Sequence, residues 1–194
     1  MTEMEKMLAG ELYDPNDLTL LSLRRKCHKL CKEYNLLDED DEKRQKILLD
    51  IGIKMGENAY FQGPIYLDYG CFIAVGKNFY CNFNFTVLDV CHVNIGDNVF
   101  IGTGVSILPP VHPLKYKDRN QYINSDGNMT DREYGKPITI KDNCWIASNV
   151  TICGGVTIGE GSVIGAGSVV TRDIPDNSFA AGNPCRVIKK IEND

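Results

Sequence analysis

From Ile140 onward a branched aliphatic residue stands at every sixth position: Ile140, Ile146, Ile152, Ile158, Ile164 and Val170. Glycine or another small residue follows most of these positions, as in Ile158-Gly159 and Ile164-Gly165. The same beat runs earlier through Val75-Gly76, Cys81 and Val87, then Ile95-Gly96, Ile101-Gly102 and Ile107, with a two-residue slip between Val87 and Ile95. An α-helix repeats every ~3.6 residues and cannot hold a six-residue period on one face. A half-buried strand alternates every two residues and ends after roughly 4–8. The hexad therefore predicts a chain that turns a corner after each short strand and stacks parallel strands into a prism. With three sides to a coil and strands ~4.8 Å apart, about four to five coils make a column roughly 20 Å tall.

Residues 1–55 lack this beat. Leu18, Leu20, Leu21, Leu23 and Leu30 lie among Arg24, Arg25, Lys26, Lys29 and Lys32, the pattern of an amphipathic helix, with Asp17 as its N-cap. A second helix is expected from about Glu39 to Lys54, offering Ile47, Leu48, Leu49, Ile51 and Ile53 for packing. The acidic run Asp38-Glu39-Asp40-Asp41-Glu42 suits the positive end of that helix's dipole.

Residues 108–136 break the period with a polar segment of mixed charge that includes Gly127 and Asn128. Long loops within compact domains are usually functional or disordered. The beat resumes at Pro137, and the tail from Asp173 through Lys190 is expected to leave the prism and pack beside it. The chain thus divides into an N-terminal helical segment, 1–55, and a β-helical domain, 56–190, carrying the 108–136 insertion. Bare sheet edges at the two ends of a column need covering; the helices and the tail are the natural covers.

Composition narrows the function classes. The 194 residues carry a net charge of −5 with pI about 5.2, which argues against a nucleic-acid groove. No apolar stretch approaches the ~20 residues that span a bilayer, so no membrane partner is expected. Met1-Thr2-Glu3-Met4-Glu5-Lys6 lacks the apolar core of a signal peptide. The eight cysteines include no CxxC pair and several fall at or beside hexad positions. They read as small apolar filler in a reducing, cytoplasmic setting.

Three histidines are present. His28 lies in the polar stretch of the first amphipathic helix, and His92 precedes a strand and can point to solvent. His112 opens the insertion within Pro109-Pro110-Val111-His112-Pro113-Leu114, where flanking prolines stiffen the backbone and hold an imidazole in place. An imidazole is the usual general base near neutral pH. The residues alone leave His112 open between such a base and an ordinary loop histidine.

Longer segments carry a resemblance. Met7-Leu8-Ala9-Gly10-Glu11-Leu12-Tyr13, Asn78 through Asn84, His112-Pro113-Leu114, Glu133-Tyr134-Gly135-Lys136-Pro137, Asn143-Cys144-Trp145-Ile146, Val163 through Val170 and Ala181 through Ile188 together span nearly the whole chain. They resemble the maltose and galactoside O-acetyltransferases of the hexapeptide-repeat acyltransferase superfamily. The resemblance implies a left-handed parallel β-helix, a homotrimer with its sites between subunits, and acetyl transfer from acetyl-CoA to a sugar hydroxyl without a metal. His112 matches the family's base and Asn82 the asparagine near the reacting centre. Glu133 is expected to fix the imidazole tautomer, and the Ser148 N–H to receive the oxyanion.

On the same resemblance, coenzyme A lies along residues 140–172, against Asn82, Trp145, Ser148, Ala166, Thr171 and Arg172, with Arg186 and Lys189 near its phosphates. Acceptor contacts are expected from Asp14, Asp17, Asp68 and Asp89. The serine that galactoside enzymes carry near Asp68 is not kept, and Val90 follows Asp89, so the choice of sugar is left open. The segment Lys115 to Arg132 is longer than in the maltose enzymes and is read as a lid. Three alternatives stand beside this reading. A zinc-dependent carbonic anhydrase shares the prism but needs three histidine ligands. A trimeric scaffold would use the fold only for binding. A xenobiotic or cell-wall hydroxyl would replace the sugar in the same chemistry.

Overall fold

The computed structural model describes residues 1–124 and 126–192. Short strands stack in parallel on three faces. Face one holds Lys54–Met55, Ile73–Val75, Val93–Ile95, Ile138–Ile140 and Thr157–Ile158. Face two holds Tyr60–Phe61, Tyr80–Cys81, Phe100–Ile101, Trp145–Ile146, Val163–Ile164 and Ser178–Ala181. Face three holds Ile65–Leu67, Phe85–Val87, Ser106–Leu108, Thr151–Cys153 and Val169–Val170.

The hexad residues form vertical columns inside the prism. Ile95 pairs with Ile140 and Ile140 with Ile158; Ile101 with Ile146 and Ile146 with Ile164; Ile107 with Ile152 and Ile152 with Val170. All of them are buried in one continuous core. Each fully buried aliphatic side chain contributes ~1.5–3 kcal/mol relative to exposure, so identical spacing in every coil is stabilised many times over.

The corner between faces one and two follows a rule that hydropathy does not reveal. Asn58, Asn78, Asn98 and Asn143 all take φ between 53° and 60° there, a left-handed turn that asparagine tolerates better than most residues. Their amides form a ladder: Asn58 donates to Asn78 at 3.1 Å, Asn78 to Asn98 at 2.9 Å and Asn98 to Asn143 at 3.2 Å.

Five coils are complete, and a partial sixth follows. The first begins at Lys54, inside the segment assigned to helices, so the column is taller than the beat suggests. The tail does not leave the prism at Asp173. Ile174 bridges in parallel to Ile158, and Ser178–Ala181 pairs in parallel with Val163–Ile164. Only then does Arg186–Lys190 turn back antiparallel along Ser178–Ala181.

Three helices occupy the N-terminal segment. α1 (Glu3–Ala9) starts on a capping box between Thr2 and Glu5, a short helix that the hydropathy pattern does not announce. α2 (Leu18–Tyr34) is N-capped by Asp17, whose carboxylate accepts the N–H groups of Thr19 and Leu20. α3 (Lys43–Ile51) is shorter than the expected Glu39 to Lys54. The acidic run precedes it, with Asp41 accepting the Lys43 N–H at 2.9 Å, and Gly52 ends it in a left-handed turn.

Every departure from the six-residue beat falls on one edge of the prism, between faces three and one. Leu67 to Val75 and Val87 to Ile95 each carry two extra residues, and the 108–136 insertion leaves from the same edge one coil on. A second apolar cluster of Met7, Tyr13, Leu20, Tyr69 and Val90 fills in behind these bulges. The N-terminal segment and the insertion are therefore docked side by side. A short helix, α4 (Tyr116–Arg119), and an antiparallel hairpin, Tyr122–Ile123 with Met129–Thr130, give the insertion its own structure.

Candidate active site

His112 is presented by the stretch Pro110–Val111, which pairs antiparallel with Tyr134–Gly135. That pairing brings the loop's return strand, Asp131 to Glu133, alongside the imidazole. His112 Nδ1 lies 3.1 Å from the Arg132 carbonyl oxygen and 3.7 Å from Asp131 Oδ2. His112 Nε2 lies 3.7 Å from Glu133 Oε2. A carbonyl can only accept, so Nδ1 carries the hydrogen and Nε2 is left with its lone pair. The tautomer is thus fixed by the Arg132 backbone, and not by Glu133 as expected. The His112 side chain remains 42% exposed, so the basic nitrogen is reachable.

Glu133 is held from behind. Its Oε1 accepts the Tyr13 hydroxyl, and its backbone carbonyl accepts the Tyr13 N–H at 3.1 Å. Burial pushes the Glu133 carboxyl above its ordinary range, opposed by the Tyr13 hydrogen bond and the facing His112, while Asp131 and Asp68 push it further up. Placed opposite Nε2, a carboxylate favours the imidazolium that forms once His112 takes a proton. Tyr13, Asp131 and the Arg132 carbonyl went unassigned in the sequence. Tyr13 lies within the matched N-terminal segment, but no spacing rule links it to a residue 120 positions away.

The four aspartates expected around the acceptor have different surroundings. Asp14 is taken up by the insertion: it accepts from Thr130 Oγ1 at 2.5 Å, Asn124 Nδ2 at 2.8 Å and the Asn16 N–H at 2.9 Å. Burial alone would raise its carboxyl, but these hydrogen bonds outweigh it and lower it. Asp17 is the α2 N-cap. Asp68 stands on the irregular edge, with Oδ1 3.4 Å from His28 Nε2. It borders an apolar groove that includes Leu36, Tyr66, Leu67 and Leu88. Asp89 does not face an acceptor at all. It is 0% exposed, and its two oxygens accept the N–H groups of Tyr69 at 2.9 Å and Phe72 at 3.3 Å, pinning the bulge of the preceding coil.

The residues expected to meet coenzyme A divide between edges. Asn82, Ser148 and Ala166 stand on the second, fourth and fifth coils at the edge between faces two and three, with Gly102 and Thr103 on the coil between the first two. Asn82 Oδ1 accepts the Phe83 N–H at 2.7 Å and the Thr103 hydroxyl at 3.0 Å, which leaves its NH₂ as the group turned to other use. Gly102 packs beneath Ser148, where a Cβ would fall 2.6 Å from the Ser148 nitrogen; glycine is required for that approach. Trp145 is 52% exposed on the outside of face two. Thr171 and Arg172 are exposed on the other edge, the one that carries His112, and Arg186 and Lys189 are exposed on the last strand. One chain therefore sets His112 and Asn82 on two different edges flanking face three.

The remaining histidines do not join His112. His28 faces Asp68, and His92 packs edge-on against Phe72. Among the described residues no group of three or more His, Cys, Asp and Glu gathers as metal ligands. The eight cysteines are unpaired, and six of them are buried. No helix among the described residues is long and apolar enough to cross a membrane.

Comparison with known proteins agrees with this fold. Residues 6–51 match the maltose acetyltransferase hexapeptide capping motif, and residues 137–172 match the bacterial transferase hexapeptide model of six repeats. The chain is 42% identical to the galactoside O-acetyltransferase of Escherichia coli K12, over 100% of its own length and 91% of the relative's. It superimposes on a maltose O-acetyltransferase from Clostridium difficile 630 with a TM-score of 0.84 and 44% identity, covering 100% and 99% of the two chains. A galactoside acetyltransferase solved in complex with coenzyme A gives 0.89 and 40%, covering 100% and 92%. The chain belongs to the maltose and galactoside O-acetyltransferase family of hexapeptide-repeat acetyltransferases.

Proposed function

We propose that this protein transfers an acetyl group from acetyl-CoA to a hydroxyl of a sugar or glycoside, with His112 as the general base. The observation that carries the reading is the Arg132 carbonyl 3.1 Å from His112 Nδ1, which leaves a bare, exposed Nε2 at the mouth of a structured loop. Nε2 takes the proton of the acceptor hydroxyl as its oxygen attacks the thioester carbonyl. The new C–O bond places negative charge on the carbonyl oxygen, and the Ser148 N–H is the donor we assign to it. Collapse breaks the C–S bond, and the imidazolium returns its proton to the departing thiolate. Glu133 stabilises the imidazolium between those two events.

Acetyl-CoA as donor is supported by the coenzyme A complex of the galactoside relative. Thr171 and Arg172 would line its path, and Arg186 and Lys189 would meet its phosphates. The placement of His112 and Asn82 on separate edges supports a homotrimer in which each site takes one edge from each of two neighbouring subunits. A scaffold without catalysis would have no need of a tautomer-fixed histidine facing a half-buried carboxylate.

The experiment is His112→Ala, assayed for coenzyme A release from acetyl-CoA with maltose and methyl β-galactoside as acceptors. Loss of general-base catalysis should lower kcat by ~10²–10⁴-fold with the trimer intact. Wild-type turnover in that variant would overturn the assignment. Wild-type enzyme that acetylates neither sugar but turns over an aryl or cell-wall hydroxyl would keep the chemistry and replace the acceptor.

A further inference from the structure

The N-terminal segment matches a capping motif, and most of it does cover the end of the column. Tyr13 does something else. It hydrogen-bonds twice to the residue that faces His112: the phenol donates to the Glu133 carboxylate at Oε1, and the backbone N–H to the Glu133 carbonyl. We propose that Tyr13 is a positioning residue for acetyl transfer. It clamps Glu133 at both ends so that Oε2 stands opposite His112 Nε2, a role that rests on His112 being the base.

A packing role alone would be met by phenylalanine. Tyr13 is 1% exposed and wedged with Met7, Leu20, Tyr69 and Val90. A hydroxyl there has no water to fall back on, and burying one without a partner is unfavourable. Its partner is Glu133, itself 13% exposed at the side chain, and a carboxylate so enclosed needs donors to stay ionised. The surroundings otherwise work against that charge. Asp131 faces His112 from the same loop strand, and Asp68 stands on the same irregular edge of the prism. Tyr69 and Arg24 lie behind the phenol. The Tyr13 hydroxyl donates directly to the Glu133 carboxylate, and the facing His112 favours the anion only when protonated. The phenol therefore keeps the carboxylate ready before the proton arrives.

Removing the hydroxyl should leave Glu133 less ionised and free to turn. The Glu133 carboxyl should then take up its proton at higher pH. Tyr13→Phe tests this with the column's packing retained. Expected results are a ~10-fold fall in kcat, the size of one hydrogen bond to a charged group, an unchanged KM for acetyl-CoA, and a Glu133 carboxyl titration (followed by carbon NMR, assigned with Glu133→Gln) displaced to higher pH. Tyr13→Phe/Glu133→Gln should be no slower than Glu133→Gln alone, since the two residues act in series.

Fluorotyrosine at position 13, a stronger donor of nearly the same shape, should move the Glu133 titration the opposite way and serves if the Phe variant is poorly folded. Wild-type kcat and an unmoved titration in Tyr13→Phe, or additive losses in the double variant, would overturn the proposal. If His112→Ala keeps full turnover the base assignment fails instead, and the titration still reports whether Tyr13 acts on Glu133.

Discussion

The Arg132 carbonyl oxygen stands 3.1 Å from His112 Nδ1, and this backbone contact, rather than a side chain, selects which imidazole nitrogen is free. The Arg132 side chain points to other business: its guanidinium stacks over Tyr122 at 4.8 Å, and Nε donates to the Tyr122 hydroxyl at 3.3 Å. Arg132→Ala should therefore keep kcat within about threefold of wild type, because a peptide carbonyl survives any substitution except through a change of backbone. Steady-state rates decide the matter. A hundredfold loss would mean that the guanidinium itself takes part in the reaction.

Asp89 gives a prediction about stability. Burial pushes its carboxyl up to about 7, opposed by the backbone N–H groups that it accepts, those of Gly70, Tyr69 and Phe72 among them. In the unfolded chain the same group ionises near its ordinary value of 3.8. The folded state therefore holds the proton more tightly. Its contribution is fully present below pH ~4 and is lost as the pH rises toward ~7, by an amount on the order of a few kcal/mol. Denaturant midpoints measured from pH 4 to 8 should show this decline superimposed on other groups, and Asp89→Asn should flatten it. An identical slope in the variant would show that Asp89 does not titrate with folding.

The basic tail gives a third. Arg186 and Lys189 are exposed on the last strand and, among the described residues, bear no carboxylate partner, although the Arg186 guanidinium does cap the Cys185 carbonyl at 2.8 Å. If they meet phosphates, Arg186→Ala and Lys189→Ala should each raise KM for acetyl-CoA by roughly 3–10-fold, more at low salt than at high. The effect should shrink with dephospho-acetyl-CoA if the contact is to the 3′-phosphate. Unchanged KM in both variants would place the phosphates elsewhere.

What could be read before the fold was known follows from periodicity. Columns such as Ile101-Ile146-Ile164 were visible because a coil repeats its inward position at constant spacing. The site's outline was visible as the place where that spacing fails. The beat could not show that Leu67–Val75, Val87–Ile95 and the 108–136 insertion share one edge, since that depends on counting coils from Lys54. Nor could it separate a carboxylate that faces an acceptor from one that pins a bulge, which is why Asp89 was misplaced. Tyr13 and Glu133 meet across 120 residues, and the Arg132 carbonyl belongs to the backbone and leaves no trace in residue type.

The separation of His112 and Asn82 leads to the last prediction. The two residues stand on different edges of the same column, one on the loop that leaves face three and the other at the corner that enters it. In the proposed trimer, a site that needs both draws them from two neighbouring subunits, as a closed ring of heterologous contacts provides. His112→Ala and Asn82→Ala should each be nearly inactive as pure proteins. Unfolded together in equal amounts and refolded, they should regain activity, because a site pairing an intact His112 from one protomer with an intact Asn82 from the next contains no defect. Random assembly of a ring makes about one site in four of that kind, so roughly a quarter of wild-type activity should return. Mixing without subunit exchange should restore nothing. If co-refolded samples of confirmed mixed composition stay inactive, both residues serve a site within one chain, and the shared-site arrangement is wrong.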